Sequence, residues 1–259
     1  MRKLCALCLA FVLGFAFTAC SGSGQQTDYS FEALALAMEA AEGASSLKIE
    51  TETDAKIVYK QSSTTAYDMQ STRRATLAFH LDGEGNITEY AAKESAEIDG
   101  QKSAYSVYYC DGTVYIDEEG RRFKESFDAS VLKDGSLFLF FNEDEVEDYR
   151  VSQNTDSVTV TFRVPWESTS DKVVQLYRSL AEMINSTGVA FTNVRYDDIK
   201  ASFKLDRESG RLLEYSYTYT AEMTVTSTGK TMSVEGKSTC RILESGNVTI
   251  TPPDLSLYE

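Results

Sequence analysis

Residues 213–225, LEYSYTYTAEMTV, give the clearest structural signal in the chain. Apolar or aromatic side chains occupy every second position, and polar side chains fill most positions between them. Because successive side chains of a β-strand point to opposite faces, this alternation predicts a strand with one buried and one wet face, as antiparallel sheets commonly have. The apolar face consists of Leu213, Tyr215, Tyr217, Tyr219, Ala221, Met223 and Val225.

The same alternation recurs along most of the chain, and the connections between alternating segments are short. Asp111-Gly112, between two segments rich in β-branched and aromatic residues, is a strong hairpin signal. We therefore expect one antiparallel meander of about eleven strands, which at that size tends to curl around its apolar face. Further apolar positions on this inner face are Leu77, Phe79, Tyr105, Val107, Tyr109, Phe162 and Phe203.

A few helices are expected to cover the apolar face. The first spans residues 31–42, with Ser30 as its N-cap, Gly43 at its end and apolar residues at steps of three and four. A second is expected over 171–185, and one or two short helices within 127–147, where Phe138 lies in an apolar run. The predicted fold class is α+β, with one large curved antiparallel sheet wrapped around two to four short helices.

The N-terminal segment indicates export. Arg2 and Lys3 precede an uncharged run of 16 residues, Leu4 to Ala19, which is typical of a secretory signal and shorter than the roughly 20 apolar residues of a spanning helix. The run ends in FTAC, residues 17–20, which resembles the lipobox of bacterial lipoproteins apart from Phe17, where an aliphatic residue is usual. That resemblance implies acylation of Cys20 and attachment to the extracytoplasmic face of the cell membrane; the alternative is an ordinary secretory signal.

The expected organisation is a signal peptide at 1–19, a flexible tether at 20–29 and one domain at 30–255, with a loose tail over 254–259. Removing 1–19 takes away two basic residues and no acidic ones, so the 25 basic and 40 acidic residues of the whole chain leave a net charge of −17. This acidity argues against nucleic acid as a partner and against electrostatic docking to anionic lipid.

The sequence offers little for catalysis. Its one histidine, His80, falls on the wet face of a strand and is expected at the surface, and no phosphate-binding glycine loop or metal-ligand spacing is present. The acidic run 143–148 suits a solvated surface better than a calcium loop. Cys110 and Cys240 could form a disulfide, but the alternation places them on faces of different character. We predict no enzymatic activity, no cofactor and no metal site.

Three short segments occur in an order typical of a known group. A link and strand at 44–50 (ASSLKIE) follow the first helix, YYCDGTVYI lies at 108–116, and ITPP closes the chain at 250–253. In this layout the chain resembles the LolA-like superfamily, which includes periplasmic lipoprotein carriers and lipid-binding lipoproteins. The resemblance covers residues 30–255 and implies an open half-barrel that encloses a helix-lidded apolar cavity.

Repeated tyrosines bear on what the inner face does. A buried hydroxyl needs a hydrogen-bond partner, so tyrosine suits a partly open cavity wall, although ordinary packing under a helix is an alternative. We expect the chain to bind a lipid or other amphiphile; the alternative is an envelope sensor or interaction module that binds a partner protein. The candidate cavity residues are Leu77, Phe79, Tyr105, Val107, Tyr109, Phe138, Phe162, Phe203, Leu213, Tyr215, Tyr217, Tyr219 and Met223.

Overall fold

The computed structural model describes residues 29–60, 66–128, 141–165 and 191–259. Within these ranges the chain forms a 12-stranded antiparallel sheet and one α-helix, α1, at Phe31–Glu42. The strands are β1 (Ser46–Lys60), β2 (Ala66–Leu81), β3 (Ile87–Ile98), β4 (Gln101–Cys110), β5 (Thr113–Glu118), β6 (Arg121–Ser126), β7 (Glu147–Gln153), β8 (Ser157–Val164), β9 (Phe191–Tyr196), β10 (Ile199–Asp206), β11 (Leu212–Val225) and β12 (Lys230–Ser245).

The sheet consists of two arms that meet at its centre. The first arm runs β6-β5-β4-β3-β2-β1, and the second runs β12-β11-β10-β8-β7, with β9 paired to β11 beyond the end of β10. β1 pairs with β12 over almost its whole length. The single meander expected from the sequence is therefore wrong at this junction, where the first and last strands of the sheet lie side by side.

Strand pairing defines the two faces of the sheet, because directly paired residues of antiparallel strands share a face. One face carries the hydrophobic core, which includes Leu47 and Phe79 of the first arm and Phe203 and Val234 of the second. We call it the inner face. Leu34 and Met38 of α1 are buried in the same core, with 1% and 4% of their surfaces exposed.

Helix α1 matches its prediction in bounds and caps. The Ser30 Oγ accepts a hydrogen bond from the Ala33 backbone N–H at 3.3 Å, and the Gly43 N–H donates to the carbonyl of Glu39 at 2.8 Å. Among the described residues α1 is the one α-helix, where two to four were expected. The helix predicted at 171–185 lies outside the described residues, and of 127–147 only Glu143–Glu145 is described as helical, as a single 3-10 turn. No helix in the described ranges is long and apolar enough to cross a membrane.

The C-terminal tail packs on the outer face instead of being loose as predicted. Tyr258 is 7% exposed, and its ring meets the ring of Tyr115 edge-on at 5.5 Å. The backbone N–H of Lys124 donates to the Glu259 carbonyl at 3.0 Å, so the tail reaches the edge strand β6. Between β12 and the tail, the Val248 carbonyl oxygen lies 2.8 Å from His80 Nε2.

Candidate functional site

The outer face of the sheet carries rows of ion pairs. Lys48 pairs with Glu244 at 2.7 Å, and Arg74 pairs with Glu52 at 2.6 Å. Such half-exposed pairs stabilise a solvated face weakly and do not form a binding site by themselves. His80 lies on this face, between Val248 and the Glu89 carboxylate, which is 3.0 Å from its Nδ1. The inner face is therefore the place to look for a site.

The inner face of the second arm is closed by its own packing. Phe162 stacks on Phe203 at a centroid distance of 5.4 Å, and Phe203 stacks on Tyr215 at 6.0 Å. These three side chains and the nearby Tyr219 and Met223 are each less than 9% exposed. Because these five predicted cavity residues are buried in one core cluster, they hold the arm together and leave little surface for a ligand.

The inner face of the first arm carries an apolar row that crosses all six strands. Successive members are paired directly across neighbouring strands. Five spacings of about 4.8 Å make the row about 24 Å long. The members, which we call the apolar row, are Ile49, Leu77, Ala92, Val107, Ile116 and Phe123.

Exposure along the apolar row is greatest at the sheet edge, and Leu77 near the centre of the sheet is half-buried. Ile49 is 1% exposed and Ala92 5%, Val107 and Ile116 are half-buried, and Phe123 on the edge strand β6 is 39% exposed. A parallel row lies two residues away along each strand. Its members Phe79 and Tyr109 are buried, Tyr90 between them is half-buried, and the Phe127 ring packs on the Tyr109 ring at a centroid distance of 5.9 Å. Leu77, which is half-buried, and Ile98, which is 46% exposed at the end of β3, add further open apolar surface on this face of the first arm.

A belt of hydrogen-bonding side chains lies beside the apolar row on the same face. The Arg73 guanidinium and the Tyr105 hydroxyl both donate to the Glu94 carboxylate, with Arg73 Nη2 at 2.8 Å and the Tyr105 hydroxyl at 2.5 Å. On β1 and β12, the Thr53 and Ser238 hydroxyls are 3.1 Å apart. With Tyr217, which pairs with Ser238, these residues cross six neighbouring strands. We call Tyr217, Ser238, Thr53, Arg73, Glu94 and Tyr105 the polar belt.

The two charged side chains of the belt, Arg73 and Glu94, pair with each other. The hydrogen bond to Glu94 is the main cause of a raised pKa of Arg73, so the guanidinium stays charged. Burial raises the pKa of Tyr105, and it raises that of the neighbouring Tyr90 to about 12. Both phenols are therefore neutral at physiological pH and available as donors. The arrangement offers donors and acceptors but no nucleophile with an adjacent base.

Most of the remaining predicted site residues are half-buried on the inner face, and two, Phe138 and Leu213, are not placed there. Leu77, Tyr105, Val107 and Tyr217 are half-buried on the inner face, whereas Phe138 lies outside the described residues. A register shift pairs Leu205 with Leu212 and Lys204 with Glu214, which leaves Leu213 as an extra residue. The bulge places Leu212, at 0% exposed, in the core, and Leu213 is half-buried, which corrects the predicted face of this one position.

The two described cysteines are free thiols. Cys240 pairs with Tyr215 on the inner face, while Cys110 follows the inward-facing Tyr109 and so lies on the outer face. The disulfide that the sequence left open is not formed. Within the described ranges no group of three His, Cys, Asp or Glu side chains could hold a metal ion.

Sequence reasoning missed most of the belt and most of the row: Thr53, Arg73, Glu94, Ser238, Ile49, Ala92, Ile116 and Phe123. A usable signal was present for Ile116 and Phe123, which alternate with polar residues in short strands. For Arg73 and Glu94 the period-two position was visible, but charge at such a position is usually interpreted as the end of an apolar face.

Comparison with solved structures returns several similar chains. The chain is similar to a LolA superfamily protein from Nitrosomonas europaea, with 10% identity, 86% of this chain and 96% of that chain covered, and a TM-score of 0.21. A DUF1329 family protein from Desulfovibrio piger gives 10% identity, coverage of 78% and 88%, and a TM-score of 0.21. A mutant of the Rh. blastica porin gives 8% identity, coverage of 75% and 99%, and a TM-score of 0.24.

The LolA-like resemblance found in the sequence thus recurs in the comparison with solved structures. No protein-family model and no curated protein matches the chain.

Proposed function

We propose that this chain is a membrane-anchored, extracytoplasmic lipoprotein that binds a lipid or other amphiphile on the inner face of its first arm. The observation that supports this function is the apolar row, whose outer members remain half-buried or exposed although they lie on the same face as the core. Apolar surface that the fold leaves uncovered on a concave or open face is typical of binding sites.

The row provides a sufficient energetic basis for binding an acyl chain. Each CH₂ transferred from water to an apolar surface contributes about 0.8 kcal/mol when fully buried. A chain lying across Val107, Ile116 and Phe123 would contact side chains from three neighbouring strands along a row of about 24 Å. Association costs at least about 4 kcal/mol in lost translational and rotational freedom, so more than about five methylenes must be buried before the affinity becomes measurable.

Anchoring is the second part of the proposal and depends on the N-terminal sequence. Acylation of Cys20 would fix the chain to the membrane, and the small polar residues 21–28 would act as a tether. Since the mature chain carries a net charge of −17, anionic headgroups would repel it, and the acyl anchor would supply the membrane attachment. The tether would leave the first arm free to meet lipid near the membrane surface.

The test is to purify residues 24–259, extract them with organic solvent and analyse the extract by mass spectrometry. We expect a co-purifying lipid, and we expect Phe123→Glu to reduce its amount because a carboxylate would then lie at the open end of the apolar row. The matched control is Val151→Glu on the opposite edge strand β7, where the native side chain is 41% exposed, close to the 39% of Phe123.

Both substitutions replace an exposed apolar side chain on an edge strand, so both should change the free energy of unfolding by less than about 0.5 kcal/mol. Equal lipid loss in the two variants, or no lipid in the unsubstituted protein, would contradict a site on the first arm. A partner protein recovered instead by crosslinking would favour the alternative of an interaction module.

A further inference from the structure

The chemistry of the polar belt restricts which amphiphile fits the apolar row. Glu94 and Tyr105 lie two residues from Ala92 and Val107 along β3 and β4, so this part of the belt is about 6.7 Å from the row. Thr53 and Arg73 lie four residues from Ile49 and Leu77 along β1 and β2, about 13 Å from the row. An acyl chain on the row would therefore place its polar end against Arg73, Glu94 and Tyr105. This inference rests on the proposed function and adds the identity of the headgroup.

Charges within the belt cancel. Arg73 is neutralised by Glu94, and the next pair in the same cross-strand row, Glu118 and Arg121, again joins one acidic and one basic residue. The Glu94 side chain is 10% exposed, so its charge is mostly removed from water. An anionic headgroup would have to displace this carboxylate or lie beside it, and both arrangements cost free energy in a partly desolvated site.

A headgroup hydroxyl would form hydrogen bonds with the belt without bringing a second negative charge close to Glu94. A hydroxyl both donates and accepts, as does the Tyr105 hydroxyl that it would meet beside Arg73 and Glu94. The Arg73 guanidinium is 56% exposed, and its Nη1 donates to no acceptor within the described residues. The belt can thus donate from Arg73 and accept at Glu94 while its net charge stays at zero.

We propose that the polar belt binds an uncharged, hydroxyl-bearing headgroup, such as the glycerol of an acylglycerol, while the acyl chain lies along the apolar row. Phosphate-bearing and carboxylate-bearing amphiphiles with the same acyl chain would bind more weakly. Selection would come from the neutral charge of the belt, and the acyl chain would supply most of the affinity.

The experiment uses the mature acylated chain in phosphatidylcholine vesicles and three photoreactive probes with one common acyl chain. Their headgroups are glycerol, phosphoglycerol and a free carboxylate, and peptide mass spectrometry maps the labelled sites. We expect the glycerol probe to label the peptides of β2–β6 about tenfold more than either anionic probe, which corresponds to a difference of about 1.4 kcal/mol in binding free energy.

Two variants test whether the belt sets this ratio. Tyr105→Phe removes the hydroxyl that donates to Glu94 with little change in size, so the preference for the glycerol probe should fall toward one while labelling by the acyl chain persists. Glu94→Gln leaves Arg73 without a countercharge, so labelling should move toward the phosphoglycerol probe. The matched control is Thr72→Val on the outer face, where the hydroxyl donates to Asp54 Oδ1 at 2.7 Å, and it should keep the native preference.

Each outcome decides between the two proposals. Equal labelling of β2–β6 by all three probes, or a preference unchanged by Glu94→Gln, would overturn the headgroup inference and leave amphiphile binding intact. Stronger labelling by an anionic probe in the native protein would also overturn it. No labelling of β2–β6 by any probe would contradict the amphiphile site itself.

Discussion

The two arms of the sheet have similar apolar alternation on their inner faces but use it differently. In the second arm Val158, Val160, Val164, Ile199 and Leu212 are 0% exposed, whereas the corresponding face of the first arm ends in half-buried and exposed side chains. The N-terminal segment accounts for part of this contrast. Phe31 of α1 packs against Phe162 at 6.3 Å, and the Tyr29 hydroxyl donates to the Arg207 carbonyl at 3.4 Å.

Whether an apolar residue of the inner face is buried therefore depends more on what packs over it than on the sequence of its strand. Ile49 and Phe123 are members of the same cross-strand row, yet one is 1% and the other 39% exposed. The second arm then carries the stability of the fold, and the first arm is free to bind. This division predicts that equivalent substitutions have unequal effects in the two arms.

The largest effect is expected for Phe203→Ala in the second arm. Phe203 is 1% exposed and stacks between Phe162 and Tyr215, so its removal leaves a cavity that the packed neighbours cannot fill. We expect a loss of about 3–5 kcal/mol in the free energy of unfolding, measured by chemical denaturation.

The matched variant in the first arm is Val107→Ala, on the same face but half-buried. It should cost under about 1 kcal/mol, since less apolar area returns to water. Losses of similar size in the two variants would show that the first arm is as tightly packed as the second.

A smaller effect is expected where the second arm meets the central junction. Gly236 pairs with Tyr219, and a Cβ at position 236 would lie 2.1 Å from Tyr219 Cζ, so the aromatic ring covers the glycine directly. Gly236→Ala must displace this ring, which is 4% exposed, at a cost of about 1–3 kcal/mol.

A double-mutant cycle isolates the contact at Gly236. In a Tyr219→Ala background the same Gly236→Ala change should cost little or even stabilise the strand, because alanine loses less backbone entropy than glycine on folding. Equal costs of Gly236→Ala in both backgrounds would mean that the ring over the glycine is not the cause.

Sequence pattern predicted what depends on neighbours along the chain. Helix α1 with its Ser30 cap, the Asp111-Gly112 hairpin and the inner face of β11 from Tyr215 onward all follow from residue type and spacing. The Leu212–Leu213 bulge does not, because either leucine can occupy the inward position and only pairing with β10 decides between them.

Features that depend on residues far apart in the chain could not be predicted from the sequence pattern. The pairing of β1 with β12 joins residues such as Ala55 and Gly236 that carry no local mark of each other. The alternation along β3 is enough to place Glu94 on the inner face. Its hydrogen-bond partners Arg73 and Tyr105 lie on other strands and could not be predicted from it. The sequence therefore predicted the site as one face of the sheet. The polar belt could be identified only once the pairing register of the strands was known.

The smallest expected effect is a difference in alkylation rate between the two described thiols at pH 8. Cys240 on the inner face is 2% exposed, and burial raises the pKa of its thiol to about 11, so at pH 8 about one molecule in a thousand carries the reactive thiolate. Cys110, half-buried on the outer face of the first arm, is more accessible. We expect iodoacetamide at pH 8 to modify Cys110 at least about tenfold faster, as measured by peptide mass spectrometry.

The pH dependence of Cys240 has a definite sign. Because the folded state raises this pKa above the unfolded value of about 8.5, folding favours the neutral thiol, and that stabilisation is complete below pH 8.5 and is lost as the pH rises toward 11. Alkylation of Cys240 should therefore accelerate between pH 8 and 10, while in guanidinium chloride both thiols should react readily. If Cys240 reacts as fast as Cys110 in the native protein at pH 8, the inner face of the second arm opens too easily to be the stable half of the sheet.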